Sequence, residues 1–513
     1  MPKKWYILKF SIPFLKVVFA DKDPGEEFFT GTQPRGFDFY SAFGSYSGKG
    51  VVKEVIVGDY HAGFGQGLTL WTGLAFGKSS EAVSMKRNGG GLKPSTSVNE
   101  NLYMRGVAAT IAMKNLELTA FYSSKKLDAN IGETDTVSQE ILYVTSLQET
   151  GYHRTNAEME DKNAIGEKLF GIHLGFRKNL YSIGTTFLKT TFDTPVEKGD
   201  QLYDQFSFSG TSNINGGVDF NFYLKKINFF GEVSASQNGG KAFLAGCQAN
   251  LSQRVAFSVF YRNYGVKYQN LYSNAIGESS ENSNEKGLYT GVLLQLHKNW
   301  TFNGYFDFFS FPWLKYRVDA PSSGNEYNAQ LSYRPFRELE LYFRYRYKNK
   351  QINSGEEALL PEVVTSNHQN FRFHVSSEIL PWITLRSRVE YMKYNPGDQT
   401  TGDGFLVYQD VTIRPENKPF DVTLRYAIFN TDSYDERIYA YENDVLYAFA
   451  VPAYYYKGSR FYVTLKYEIT KWMDCWVRFA QTVYTNQQTI GSGLDEIDGD
   501  TKSEIKAQLR LKF

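Results

Sequence analysis

From Ser503 to Phe513 the chain alternates without a break, with Ile505, Ala507, Leu509, Leu511 and Phe513 on odd numbers and Lys506, Gln508, Arg510 and Lys512 on even ones. Successive side chains of a β-strand point to opposite faces, so a period of two makes this a strand with one apolar and one cationic face. The hairpin before it repeats the pattern. Phe461, Val463, Leu465, Tyr467 and Ile469 oppose Arg460, Thr464, Lys466 and Glu468; Met473, Cys475, Val477 and Phe479 oppose Asp474, Trp476 and Arg478. Strands of soluble sandwiches average about five or six residues and bury the apolar face in a dry core. These runs are longer and approach the roughly 9 to 11 residues that a tilted strand needs to cross a bilayer. The apolar face is then the lipid face, and the charged face looks into a wet lumen.

Strands in the middle of the chain keep this division. Leu339, Leu341, Phe343, Tyr345 and Tyr347 oppose Glu338, Glu340, Arg344, Arg346 and Lys348, and Ile383, Leu385, Val389 and Tyr391 oppose Arg386, Arg388 and Glu390. Val422, Leu424, Tyr426 and Ile428 likewise oppose Asp421, Thr423 and Arg425. A cation facing lipid at mid-membrane costs about 2 to 4 kcal/mol. Arg344, Arg346, Arg386, Arg388, Arg425, Arg478 and Arg510 are therefore assigned to the interior as pore-lining residues, which predicts a mild preference for anions.

Short connections, such as Lys114-Asn115, Asn179-Leu180 and Thr470-Lys471, alternate with long polar ones, such as 62–102, 129–165 and 432–457. Short periplasmic turns and long extracellular loops make this an all-β fold, a transmembrane up-and-down antiparallel β-barrel of about 22–24 strands with a periplasmic C-terminus in a bacterial outer membrane. The 513 residues contain no linker or shift in composition, so one barrel is expected over 1–513. The aromatic content, 37 Tyr and 40 Phe, fits two interfacial girdles. The predicted surroundings are lipid bilayer and lipopolysaccharide, with the long loops as candidate docking sites for a protein partner. A net charge of +1 gives no case for nucleic acid.

Strand parity adds a constraint. If Lys3 to Phe10 is in the wall it runs parallel to the last strand, and antiparallel closure then needs one more strand before Met1. MPKK is a basic start, yet Lys9 and Lys16 interrupt the apolar stretch that a signal peptide requires. Both observations predict that Met1 is not the natural start. Cys247 and Cys475 lie far apart and read as two single thiols without metal-ligand spacing.

The stretch Val57 to Lys78, VGDYHAGFGQGLTLWTGLAFGK, is crowded with glycine. It is not a phosphate loop, because no G-x-x-x-x-G-K-[ST] is present. Bulges are frequent at barrel rims, which favours a bulged strand end leading into a surface loop. The sharper alternative is a constriction folded into the lumen, formed by Asp59, His61, Gly63, Gly65, Gly67, Trp71 and Lys78, with Lys86 and Arg87. His173 and His374 read as lumen-lining side chains. The acidic runs Glu158 to Asp161 and Asp495 to Asp500 read as solvated loop charge. No nucleophile, zinc or cofactor motif is present, so neither an enzyme nor a metal or cofactor site is expected.

In that glycine-rich stretch, in Asp21 to Phe29, and in YENDVLYAFAVPAYYYKGSRFYV, the chain resembles large outer-membrane barrels of Bacteroidota, which often carry an N-terminal periplasmic helix-hairpin-helix region. The resemblance covers the chain as the barrel portion and agrees with a trimmed start. No helix-hairpin-helix segment is present, and no molecular activity is carried over. It further implies that Phe513 is read by the barrel-insertion machinery. The leading functional expectation is a porin-like or gated transport channel for small polar, anionic solutes. The alternative is a structural, assembly or partner-binding barrel with a plugged lumen.

Overall fold

The computed structural model describes residues 3–9, 17–22, 25–31, 33–34, 36–97, 100–135, 140–355, 362–398 and 400–511. Lys512 and Phe513 lie outside the described residues, and with them the proposed insertion signal. Among the described residues one sheet holds 26 strands. Three short ones, Gly91–Pro94, Ala129–Thr134 and Ile141–Leu147, lie off the wall, which leaves twenty-three wall strands. From Val17–Asp21 onward each wall strand pairs antiparallel with the next, up to Thr501–Leu511. Lys3–Lys9 lies beside Val17–Asp21 and pairs in parallel with Thr501–Leu511, so the cylinder closes through one parallel seam, as an odd strand number requires.

Why these residues form a membrane wall follows from the two faces. Val233, Phe243, Tyr261, Leu288, Phe308, Tyr327, Phe343 and Phe373 are exposed, while Glu232, Arg262, Glu285, Asp307, Glu326 and Glu390 are buried. That inverts a water-soluble protein, and only a cylinder with lipid outside and polar contents inside makes both faces favourable. Aromatic pairs bridge neighbouring strands, with ring centroids 5.2 Å apart for Phe306 and Tyr327 and 4.9 Å for Tyr345 and Phe371. Such cross-strand contacts are the elementary stabilising unit of a sheet. No helix among the described residues is long and apolar enough to cross a membrane.

Short turns fall where the sequence places them. Lys114 (φ 54°) and Asn179 (φ 34°) take left-handed backbone between their strands, as tight hairpins demand. Cys247 and Cys475 are free thiols. At the other end, three long connections turn back into the cylinder, spanning 64–90, 265–284 and 432–456.

Candidate functional site

The first insert begins where Val52–Gly63 leaves the wall. Phe64 stacks on the His173 ring at 4.0 Å between centroids and packs beside Phe121. The backbone then reverses at Gly65 (φ 56°) and Gly67 (φ 80°), conformations that glycine reaches without steric cost. The reversal aims three peptide N–H groups at one carboxylate: Gln66, Leu68 and Thr69 donate to Glu232 at 2.6, 3.1 and 2.7 Å. A Cβ on Gly65 would stand 2.6 Å from Glu232 Oε2 and 2.8 Å from Asp219 Cβ, so a larger residue would have to push one of these side chains aside.

Beyond the reversal, Leu68, Ala82 and Met85 are buried among Phe230, Phe260, Tyr264, Tyr289 and Tyr305 of the inner wall. The Ala82 carbonyl accepts from Ser258 Oγ (3.0 Å) and Tyr289 Oη (2.9 Å). The rim-loop reading of this stretch is thereby corrected. The insert carries apolar side chains that the aromatic inner wall buries, and a loop in water would have left both exposed. Gly63 and Gly67 pack against Trp71, whose backbone N–H donates to the Tyr272 carbonyl at 2.8 Å, and His61 lies against Gly73. Asp59 stays in the wall, held by Arg105 at 2.7 Å.

Lys78 fastens the far end of the insert. Its Nζ lies 2.7 Å from Glu278, 2.9 Å from Asp307 and 2.9 Å from Glu326, with 7% of the side chain exposed. Asp307 and Glu326 face each other across neighbouring strands, and two like charges so placed need cations. Arg262 supplies another at 2.7 Å from Asp307, and Arg346 lies 2.7 Å from Glu326. Glu278 belongs to the second insert, which also places Tyr268 Oη on the Leu68 carbonyl (2.8 Å), Asn270 on the Thr69 carbonyl (2.8 Å) and Tyr272 Oη on Glu167 (2.6 Å). Burial alone would raise the Glu278 carboxyl, but Lys78 and Lys348 outweigh it and hold it below the ordinary range. Farther along the first insert, Lys86 donates to Asn221 and Asn228, and Arg87 lies over the Trp71 ring.

The third insert enters from the C-terminal side. Glu442, fully buried, accepts from Arg460 Nε at 2.8 Å, from Tyr454 Oη at 2.6 Å, and from Arg478. Asp444 binds Lys506 at 2.6 Å, and Phe449 meets Phe76 of the first insert with centroids 5.7 Å apart. Two pore-lining assignments change accordingly. Arg478 and Arg425 are on the inner face, but the third insert covers them, at 1% and 3% side-chain exposure. Arg425 is bidentate to Asp410 and donates to the Tyr441 carbonyl, so it holds the insert down and borders no open lumen. Arg510 lies 2.8 Å from Asp474 beside Trp476 and is only partly covered.

One sector of the wall is covered less, although the second insert reaches its edge where Glu278 pairs with Lys348. Along Leu339–Asn353, Val363–Leu380 and Ile383–Asn395 most inner-face side chains are half-buried rather than buried. This sector carries Arg344, Arg346, Lys348, Lys350, Arg372, Arg386 and Arg388. Arg344 stands opposite Arg372, and Arg388 opposite His374. Glu390 is occupied by Arg372 at 2.6 Å, while the Nε atoms of Arg344 and Arg388 have no hydrogen-bond partner.

Sequence reasoning missed Glu232 and Asp307 on the wall and Glu278 and Glu442 on the inserts, the carboxylates that fasten inserts and wall together. A signal existed for the first three. Between 227 and 311 the strands lose clean alternation and carry aromatics on both faces, as Phe229 with Phe230 and Phe260 with Tyr261 show. An inner wall with that much aromatic surface needs an apolar cover.

No protein-family model matches the chain, and no curated protein matches it. Among solved structures it is similar to the siderophore receptor PirA from Acinetobacter baumannii, with a TM-score of 0.42, 8% identity, and coverage of 98% of this chain and 76% of that one. The FrpB iron transporter from Neisseria meningitidis gives a TM-score of 0.42 and 8% identity over 97% of this chain and 80% of its own. OmpT of Vibrio cholerae gives 0.32 and 11% identity over 66% and 99%. At these scores and identities the likeness carries no information about what this barrel does.

Proposed function

We propose that the chain is a bacterial outer-membrane transport barrel that passes small anionic solutes along the less covered basic sector, beside a plug made of its own loops. The observation that supports this most is the contrast between the sectors: Asp307 and Glu326 under the inserts are paired with cations, whereas Arg344 and Arg388 keep unpartnered Nε donors on the less covered side. Guanidinium groups recognise carboxylate and phosphate by paired N–H donation, so this wall suits such solutes. The long loops face outward and the C-terminus faces the periplasm in this reading. Purified barrel in a planar bilayer under a salt gradient should show an anion-selective reversal potential, and Arg386→Glu with Arg388→Glu should move it toward cations. A conducting barrel whose selectivity ignores both substitutions rules out this path.

The buried ion pairs that fix the inserts favour a second reading, a permanently plugged barrel whose long loops dock a protein partner. A non-conducting barrel that co-purifies with one stoichiometric partner in mild detergent would select it.

A further inference from the structure

His153, in the connection between Ile141–Leu147 and Ile165–Lys178, lies at the end of the cylinder where the long connections gather. Its ring is 3% exposed and carboxylates meet both of its nitrogens. Nδ1 lies 3.2 Å from Asp38 Oδ2 and 3.7 Å from Glu26 Oε1, and Nε2 lies 3.1 Å from Asp128 Oδ2. Glu26, Asp38 and His153 present donor atoms within 4.8 Å of one another. The side chains of Glu26 and Asp38 are fully shielded from solvent, and Asp38 Oδ1 has no hydrogen-bond partner. A buried carboxylate oxygen left without a donor costs free energy unless something binds it.

We propose that Glu26, Asp38 and His153 Nδ1 form a binding site for one divalent transition-metal ion. Ligand atoms that share a cation at about 2.0–2.2 Å stand roughly 3 to 3.5 Å apart, close to the separations on the Nδ1 side. The other ring nitrogen supplies the usual support, because a metal-bound imidazole almost always donates its second N–H to a carboxylate or carbonyl. Asp128 takes that part. Its Oδ2 faces Nε2 and its Oδ1 accepts from the Asn163 N–H at 2.8 Å, so it is already fixed as an orienting group. Glu100, Asp128 and Nε2 also converge, but Asp128 is satisfied there, and Asp38, the carboxylate with an oxygen lacking a partner, faces Nδ1. One imidazole nitrogen with two carboxylates suits zinc or manganese better than calcium, which prefers six or more oxygens. The ion would tie the segment 25–38 to the connection that carries His153 and stiffen the loops above the plug.

The test uses the full chain in detergent micelles, stripped with chelator and desalted, with Zn²⁺ and Mn²⁺ as probes. Calorimetry should find one Zn²⁺ per chain, and pulsed EPR of bound Mn²⁺ should show nitrogen modulation from one imidazole. Asp38→Asn should weaken Zn²⁺ binding at least tenfold, and Asp128→Asn should weaken it about 10- to 100-fold while keeping the stoichiometry. In His153→Gln the nitrogen modulation should vanish. Absence of saturable Zn²⁺ binding by the wild type, nitrogen-free Mn²⁺ spectra, or an Asp38→Asn affinity equal to wild type would each overturn the proposal. Wild-type spectra decide the matter even if a variant fails to fold.

Discussion

Replacing Glu232 by Ala should release the first insert without dismantling the barrel. The carboxylate accepts from three buried N–H groups, those of Gln66, Leu68 and Thr69. Each buried donor left without a partner costs about 1–3 kcal/mol. The low end applies here, because a vacated carboxylate site next to a wet lumen admits water and because the variant no longer desolvates a charge. Three donors at about 1 kcal/mol give roughly 3 kcal/mol, or about a hundredfold or more on the equilibrium between docked and undocked insert. The wall strand Ile227–Ser236 keeps all its backbone pairing, so the penalty falls on the insert. Hydrogen exchange read by mass spectrometry should accelerate about a hundredfold in a peptide covering 64–72 and stay constant in one covering 285–311. Glu232→Gln, which keeps one acceptor oxygen, should fall between. Unchanged protection of 64–72 in Glu232→Ala, with the barrel folded, would refute the view that this carboxylate holds the insert.

Gly65→Ala should act on the same contact, since its Cβ meets Glu232 Oε2 at 2.6 Å at a φ of 56°; destabilisation beyond the roughly 0.4–1 kcal/mol gained at compatible sites is expected by thermal melting in detergent, with noisier single-channel currents. Lys78→Met leaves Glu278, Asp307 and Glu326 short of a cation; removing one partner of a buried ion pair costs about 3–5 kcal/mol, so melting should fall and channel openings rise, whereas an unchanged melt would make Lys78 a bystander. Acid should loosen the second insert: Glu278 is held below the ordinary carboxylate range, so its contribution is complete above an unfolded value of about 4.3 and is lost as pH falls through the lower native value. Protection factors in 266–284, taken relative to the intrinsic rate at each pH, should therefore be flat from pH 8 to 5 and fall below about pH 4.

The wall was legible because membrane strands obey one local rule, period two with charge on one side, and that rule needs no partner to be read. That Arg344, Arg346, Arg386 and Arg388 share the face opposite the apolar one followed from it directly. The inserts were not legible, because a loop's destination depends on surfaces far away in sequence. Nothing within Val57 to Lys78 says that Glu232 waits for its N–H groups 164 residues beyond Leu68. Glycine density announced an unusual backbone and left its location open. Arg425 and Arg478 obeyed the face rule and still lost the open lumen, because Glu442 and Tyr441 of a distant connection cover them. His153 escaped notice for the same reason, its carboxylates lying at 26, 38 and 128.

Charge explains why the plug covers one sector and spares another. The first insert brings Lys78, Lys86 and Arg87 into the lumen, and the wall beneath it carries Asp219, Glu232, Glu285, Asp307 and Glu326. Arg346 and Lys348 mark the boundary, sharing Glu326 and Glu278 with Lys78; turned farther toward Leu339–Asn353 and Val363–Leu380, the same cations would face Arg344 and Arg372. Two like charges about 4 Å apart repel by about 1 kcal/mol in water and about 4 kcal/mol near a protein surface. A few such contacts equal the whole stabilisation assigned to the Glu232 cradle. The insert is thus confined to the acidic sector, and the basic sector is left without a cover of its own sign. The net charge of +1, taken over the whole chain, does not reveal this segregation. The force that seats the plug and the force that would favour an anionic solute have one origin, the uneven distribution of charge around the inner wall. Reversing Arg386 and Arg388 should accordingly weaken two things together, the anion preference of the path and the electrostatic exclusion that keeps the first insert on its own side.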